Sequence, residues 1–179
     1  MTDALLGASR PFSDHVRGAL EVEAARHELD RNRVPAALEA AAALPAWPDA
    51  RAALERLRSA GLPLAVLTNS GVDAGRRSLE RAGLLDMLNP VLGVDTVGTF
   101  KPHPRTYAHA IDTLGVPAGR VLMVAAHGWD CAGAQASGMR TAWIARGEHV
   151  LVASVPEPDM RVADLAGLAE AVLRITTGR

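Results

Sequence analysis

Cysteine, lysine, long apolar runs and any excess of charge are all scarce in this chain of 179 residues. The only cysteine is Cys131, so no internal disulfide framework exists and a reducing compartment, the cytoplasm, is expected. Nineteen basic and twenty acidic side chains leave a formal charge of −1. No basic stripe stands out, which argues against a nucleic-acid partner. No apolar run reaches the roughly 18 residues of a membrane-spanning helix. The opening segment Met1-Thr2-Asp3-Ala4-Leu5-Leu6 lacks the basic and long apolar regions of a signal peptide. No His/Cys/Asp spacing resembles a zinc site. Gly61, Gly71 and Gly75 form neither a phosphate loop nor a dinucleotide fingerprint.

Apolar residues make up 49% and charged residues 22%. Those proportions fit one globular domain with at most a small appendage, and not a disordered chain. Of the nineteen basic residues only Lys101 is a lysine. Where arginine has replaced lysine almost everywhere, a surviving lysine marks a place that needs a compact ammonium rather than a planar fork. Chance is the alternative, and the position of Lys101 bears on the choice.

The first third reads as helix without a strand signal. Ser13 is placed to cap a helix through Leu29 with Val16, Leu20 and Ala24 on one face. Val34-Pro35 opens an Ala-rich stretch to Leu44, and Pro48-Asp49 opens a third helix that stops at Gly61. From Leu62 the texture changes. Short apolar runs at Leu62–Leu67, Pro90–Val94, Val121–Ala126 and Thr141–Ile144, with a fifth at Met160–Val162, alternate with helical segments ending at Leu165–Ile175. The alternation predicts an α/β fold, a Rossmann-like parallel sheet with helices on both faces. A boundary is expected near Leu44-Pro45, between an all-helical piece, 1–45, and the α/β piece, 46–179.

In open α/β sheets ligands bind beyond the carboxyl ends of the strands. That restricts the search to Thr68-Asn69-Ser70, Phe100-Lys101-Pro102 and Ala126-His127-Gly128-Trp129-Asp130. Thr68 and Asn69 offer a hydroxyl and an amide, which also serve as helix caps. Lys101 stands between Phe100 and two prolines, a rigid setting for an ammonium against a carboxylate. Asp130 falls in the first turn of a helix, where the dipole favours a negative charge. His127 is a candidate acid, base or oriented donor.

Leu67-Thr68-Asn69-Ser70, Phe100-Lys101-Pro102-His103-Pro104 and Val124-Ala125-Ala126-His127-Gly128-Trp129-Asp130 resemble, in order and spacing, three motifs of the haloacid dehalogenase superfamily. The last, followed by Ala-Gly-Ala, resembles the type II (S)-2-haloacid dehalogenases, and the likeness runs from about Phe12 to the C-terminus. The resemblance implies hydrolysis of (S)-2-haloacids to (R)-2-hydroxy acids. A first-strand Asp displaces halide from a small 2-haloalkanoate, and water then cleaves the ester. It implies no metal and no cofactor. It assigns substrate binding to Thr68 and Asn69, puts Lys101 beside the nucleophile, and places Tyr107 close to the site. It puts His127 where many members have Asn, gives Asp130 to the supporting network, and lines an apolar pocket with Phe12 and Trp129. A homodimer is also within expectation.

The family's opening strand, apolar residues followed by Phe-Asp-x-Tyr-Gly-Thr, has no counterpart in these 179 residues. Asp3 and Asp14, the acids before Glu21, follow no apolar strand. The expected architecture is therefore a haloacid dehalogenase-like core lacking its first strand, with a truncated helical cap at 1–45. The expected outcome is a chain inactive as written. The strands ending at Leu67 and Ala125 would then present open edges that destabilise the chain or invite a strand from elsewhere. Two alternatives stay open: a non-catalytic remnant that acts by binding, and a magnesium-dependent phosphatase of the same superfamily. The single acid of Ala-Ala-His-Gly-Trp-Asp counts against the second.

Overall fold

The computed structural model describes residues 10–177. Asp3 and the opening segment Met1–Leu6 lie outside the described residues. Compactness divides the chain into two units. One comprises the described residues up to Ala46 together with Ala65–Gly98; the other comprises Trp47–Leu64 and the described residues from Thr99 onward.

In the first unit, α1 (Phe12–Arg26) and α2 (Val34–Ala42) follow one another through a short turn at Arg31–Arg33. The stripe Val16, Leu20 and Ala24 is the side of α1 that turns inward, with Ala24 buried. Ser13 does not cap this helix. Pro11 occupies the cap position, no side chain caps it, and Ser13 lies within the first turn. The helix stops at His27, beyond which Glu28 takes φ +52°. Strand β1 (Val66–Thr68) runs parallel to β2 (Val91–Gly93), pairing Val66 with Val91 and Thr68 with Gly93. Helix α4 (Val72–Arg81) connects them and packs on β2. The Arg81 guanidinium donates to the Ala42 carbonyl at the end of α2.

The second unit holds α3 (Ala50–Ser59), α5 (Pro104–Leu114), β3 (Leu122–Ala125), α6 (Gly128–Ala136), β4 (Arg140–Ile144), β5 (Met160–Val162) and α7 (Leu165–Thr177). Its parallel sheet has the order β3-β4-β5, with Ala125 opposite Trp143 and Ile144 opposite Val162. Helix α6 packs on β3 and β4, and α7 on β4, β5 and α3. The contact of α3 with α7 buries Ala53, Leu57 and Ala169 among Leu62, Leu64 and Val172. This shortens the strand expected over Leu62–Leu67. Leu62 N–H is spent on the Leu57 carbonyl, Pro63 has no N–H to give, and only Val66–Thr68 joins a ladder.

Among the described residues β1 pairs with β2 alone and β3 with β4 alone, so each is an edge strand. Their apolar runs predict burial on both faces. Instead all three residues of β1, and Leu122, Met123 and Val124 of β3, are half-buried. A strand with a partner on one side only leaves its other edge uncovered, and the side chains beside that edge share the exposure.

Asp49, expected to open α3, does other work. It lies at the cap position of α3 but makes no side-chain cap there. Its carboxylate instead accepts from Arg146 at 2.6 Å and from the Leu165 N–H that starts α7 at 2.8 Å. Arg146 in turn lies over the Trp47 ring at 4.4 Å. The Arg146 hydrogen bond leads the causes that hold the Asp49 carboxyl below its ordinary range. A carboxyl depressed in the folded state stabilises above the unfolded aspartate range of about 4 and loses that contribution as pH falls through the folded value. Asp49→Asn is therefore expected to lower stability by about 1–3 kcal/mol at pH 7. In urea melts the gap between variant and parent should shrink steadily as pH is lowered from about 5 towards 2. A gap that stays constant with pH would assign the Asp49 contribution to packing instead of charge.

Candidate active site

Lys101, Tyr107 and Asp130 meet in the second unit. Asp130 stands in the first turn of α6 and is 4% exposed. Lys101 Nζ donates to its Oδ2 at 2.5 Å, and Tyr107 Oη donates to its Oδ1 at 2.7 Å. Both carboxylate oxygens are thus engaged by donors. The pair is dry, with the Lys101 and Asp130 side chains exposed by 10% and 6%. Removing two charges from water costs several kcal/mol per ion, offset only by close contact and full hydrogen bonding. The geometry supplies the close contact and a donor for each Asp130 oxygen.

Local sequence explains the placement. Pro104 begins α5, where a missing N–H costs nothing. The His103 Nδ1 accepts the Arg105 N–H at the same turn. Tyr107 lies one turn further along α5, fully buried. Burial, and then the Asp130 charge, push the Tyr107 phenol well above its ordinary range, so it stays protonated and donates. Burial also pushes the Cys131 thiol up to about 11, with the Asp130 charge second.

Gly133 permits this packing. A Cβ there would stand 2.6 Å from Tyr107 Oη and 2.8 Å from Pro102 Cβ. Gly133→Ala is expected to displace Tyr107 or the Lys101-Pro102 loop, at about 1–3 kcal/mol. Urea melts measure the cost. A fall in stability of less than about 0.5 kcal/mol would mean the contact relaxes without strain.

His127 and Trp129 lie at the same helix start. Their rings stack with centroids 5.6 Å apart at 13°. His127 Nδ1 is 2.7 Å from Glu148 Oε1, and the other oxygen, Oε2, accepts the Gly128 N–H at 2.9 Å. The Gly128 N–H, and then the His127 bond, hold the Glu148 carboxyl below its ordinary range. Trp143 Nε1 donates to the Ala126 carbonyl at 3.1 Å, anchoring the residue before His127.

Thr68, Asn69 and Phe12 belong to the first unit. Thr68 ends β1, and its Oγ1 accepts the Ser70 N–H at 3.1 Å. Asn69 follows it in the loop. Phe12 opens α1 and is 39% exposed, as is Trp129. Glu148 and Gly133 were not among the expected site residues. Gly133 lies inside the Ala-Gly-Ala that follows Asp130, a signal that was present. Glu148 stands in a loop without a motif, 21 residues from His127, and only folding brings the two together. Among the described residues no group of three or more His, Cys, Asp or Glu is arranged to hold a metal ion. No described helix is long and apolar enough to cross a membrane.

A profile of haloacid dehalogenase-like hydrolases matches residues 4–138. The chain belongs to the haloacid dehalogenase-like hydrolase family. An (S)-2-haloacid dehalogenase H-109 of Pseudomonas putida is 31% identical to this chain over 126 residues, covering 70% of the chain and 56% of that relative. A phosphoserine phosphatase of Thermus thermophilus is 37% identical over 176 residues, covering 95% of the chain and 70% of that relative. Among solved structures, the L-2-haloacid dehalogenase of Xanthobacter autotrophicus with chloropropionic acid covalently bound superposes with a TM-score of 0.85 at 29% identity. That match covers 96% of this chain and 80% of the other. The chain spans between about half and two thirds of the length of most of the curated relatives it matches. Its parallel α/β architecture is that of this family.

Proposed function

We propose that this hydrolase acts on small 2-haloalkanoates, converting (S)-2-haloacids to (R)-2-hydroxy acids. The observation that carries the reading is the dry Lys101–Asp130–Tyr107 network. It fixes a compact cation at the start of α6, where a carboxylate nucleophile must be kept ionised and away from bulk water. The dehalogenase relatives, one of them captured with chloropropionic acid covalently bound, support it.

In the proposed reaction a carboxylate oxygen attacks C2 of the haloacid, and the C–X electron pair leaves with the halide. Water then adds to the resulting ester and releases the hydroxy acid, a proton and the regenerated carboxylate. Lys101 keeps the carboxylate charged and oriented. Asp130 holds Lys101 in place, and Tyr107 holds Asp130. Trp129, beside His127, offers an apolar contact to the substrate, and Thr68, Asn69 and Phe12 keep the substrate-binding roles that the resemblance implies. No acid of these 179 residues occupies the family's nucleophile motif. The reading requires an attacking carboxylate on a strand of the Phe-Asp-x-Tyr-Gly-Thr kind, which these residues do not contain. A helical cap built on α1 and α2, a cytoplasmic location and a homodimer belong to the same reading.

The test compares the 179-residue chain with the same chain preceded by such a strand, on (S)-2-chloropropionate. The chain alone should release no halide above background; the extended chain should release halide and form 2-hydroxypropionate. Halide release by the short chain, abolished in Asp130→Asn, would make another group the nucleophile. No release by either chain would reject the reading.

The phosphatase relative motivates a second reading. A magnesium ion needs several oxygen ligands, usually more than one carboxylate. The site offers Asp130, whose oxygens already face an ammonium and a phenol. The carboxylate present here does not by itself make such a set, and a first strand would have to supply the others. Phosphoserine hydrolysis by the extended chain, dependent on Mg²⁺, would favour the phosphatase instead.

A further inference from the structure

We propose that Glu148 is a positioning residue that fixes the proton of His127 on Nδ1 and leaves Nε2 as an acceptor for the site. This rests on the reading of the His127–Asp130 segment as part of a hydrolytic site.

The chemistry follows from donor counting. A neutral imidazole carries one N–H, and a carboxylate accepts only. With His127 Nδ1 at 2.7 Å from Glu148 Oε1, the neutral ring carries its proton on Nδ1, and Nε2 then keeps its lone pair. The carboxylate cannot rotate away freely, because Oε2 is held by the Gly128 N–H at 2.9 Å. His127 is the cap residue of α6 yet gives that helix no side-chain cap. Glu148 supplies the missing acceptor from a separate loop, with its negative charge at the positive end of the helix. One side chain thus caps the helix and orients the ring beside it.

The loop carrying Glu148 is itself seated. Leu151 packs against the buried cluster of Ala125, Cys131 and Trp143. A Cβ at position 128 would stand 2.5 Å from Leu151 Cδ2, so Gly128 is what lets the loop approach. The Gln135 amide donates to the Glu157 carbonyl at 2.7 Å, and Arg161 donates to the His149 carbonyl at 2.9 Å. Trp129 stacks on the His127 ring, which restricts its tilt. A helix cap alone would require neither the second oxygen on Nδ1 nor the stack.

The consequence is a choice of polarity. A lone pair on Nε2 takes a hydrogen from a water or substrate donor and aims the donor's oxygen accordingly. An N–H at the same place would aim it the other way. Replacing a carboxylate that orients a catalytic imidazole selects the wrong tautomer with little change in shape.

The experiment uses ¹⁵N-labelled 179-residue chain and long-range ¹H–¹⁵N spectra at pH 9, with the His127 signals assigned by their loss in His127→Gln. The parent should show the Nδ1–H form. Glu148→Gln keeps the shape but adds a donor. Because the Gly128 N–H claims its oxygen, its amide N–H faces Nδ1, and the tautomer should reverse to Nε2–H. Glu148→Ala should also lose the Nδ1–H form as the major species, and the Gly128 amide should exchange faster in it. An Nε2–H parent, or a Glu148→Gln chain that keeps Nδ1–H, would overturn the proposal. In the extended chain, Glu148→Gln should lower kcat at least about tenfold with KM little changed, and an unchanged kcat would also overturn it. If the extended parent itself shows no turnover, the assigned reaction fails, while the tautomer spectra still decide the role of Glu148.

Discussion

Lys101→Met is expected to destabilise the chain by about 3–5 kcal/mol, because it strands a carboxylate inside the protein. Asp130 is 4% exposed and lies 2.5 Å from the Lys101 ammonium. Methionine fills nearly the same space but supplies no charge, leaving only Tyr107 to satisfy the buried carboxylate. A loss of that size is a large share of a typical folding stability of about 5–15 kcal/mol. Urea melts of the parent, Lys101→Met, Asp130→Asn and the double variant measure it. The double variant should recover much of the loss, since removing both charges is far cheaper than removing one. A Lys101→Met cost below about 1 kcal/mol would be the value of a solvated surface pair and would place the ammonium in water. In the extended chain Lys101→Arg should lose most activity although charge is kept. The guanidinium is longer and forked, so it cannot take the place of the ammonium without moving the Phe100–Pro104 loop. Near-parental turnover would return the scarcity of lysine to chance.

Trp143→Ala is expected to cost about 3–5 kcal/mol, the range for deleting a large buried aromatic. Trp143 is fully buried near the end of β4, packs with Ala125 and Cys131, and donates to the Ala126 carbonyl. Two effects should therefore appear together: the melt shifts, and the loop carrying His127 loosens. The Cys131 thiol reports the second. It is 1% exposed and raised to about 11, so in the parent at pH 8 a thiol reagent should react only through opening of the fold. In Trp143→Ala the labelling rate should rise by at least the factor expected from lost stability. Parental labelling and an unshifted melt would show that the cavity collapses without consequence.

Much of the element order was legible in the residues. Apolar runs and glycine stops place α5 at Pro104–Leu114 and β5 at Met160–Val162, as observed. Gly115 closes α5 in the left-handed region, at φ +64°, as a glycine after a helix should. Errors fell where a tertiary partner outbid a local preference. Asp49 was placed by its helix-opening signal, but Arg146, 97 residues away, and the start of α7 claim its carboxylate. Leu62 and Leu64 have the pattern of a strand but are consumed by the packing of α3 on α7.

The candidate site divides the same way. Three motifs pointed to Lys101, Asp130 and His127 because short-range order records which residue types stand together. The sequence by itself determined the alternation of strands and helices, the family, and the unusual isolation of one lysine. It could not determine that Tyr107 and Lys101 take one oxygen each of Asp130, or that Glu148 rather than Asp130 is the carboxylate on His127. Those pairings join residues 23, 29 and 21 positions apart, and no local propensity encodes a contact at that separation. They follow from the register of β3 against β4 and the seating of α6, which only the packed chain defines.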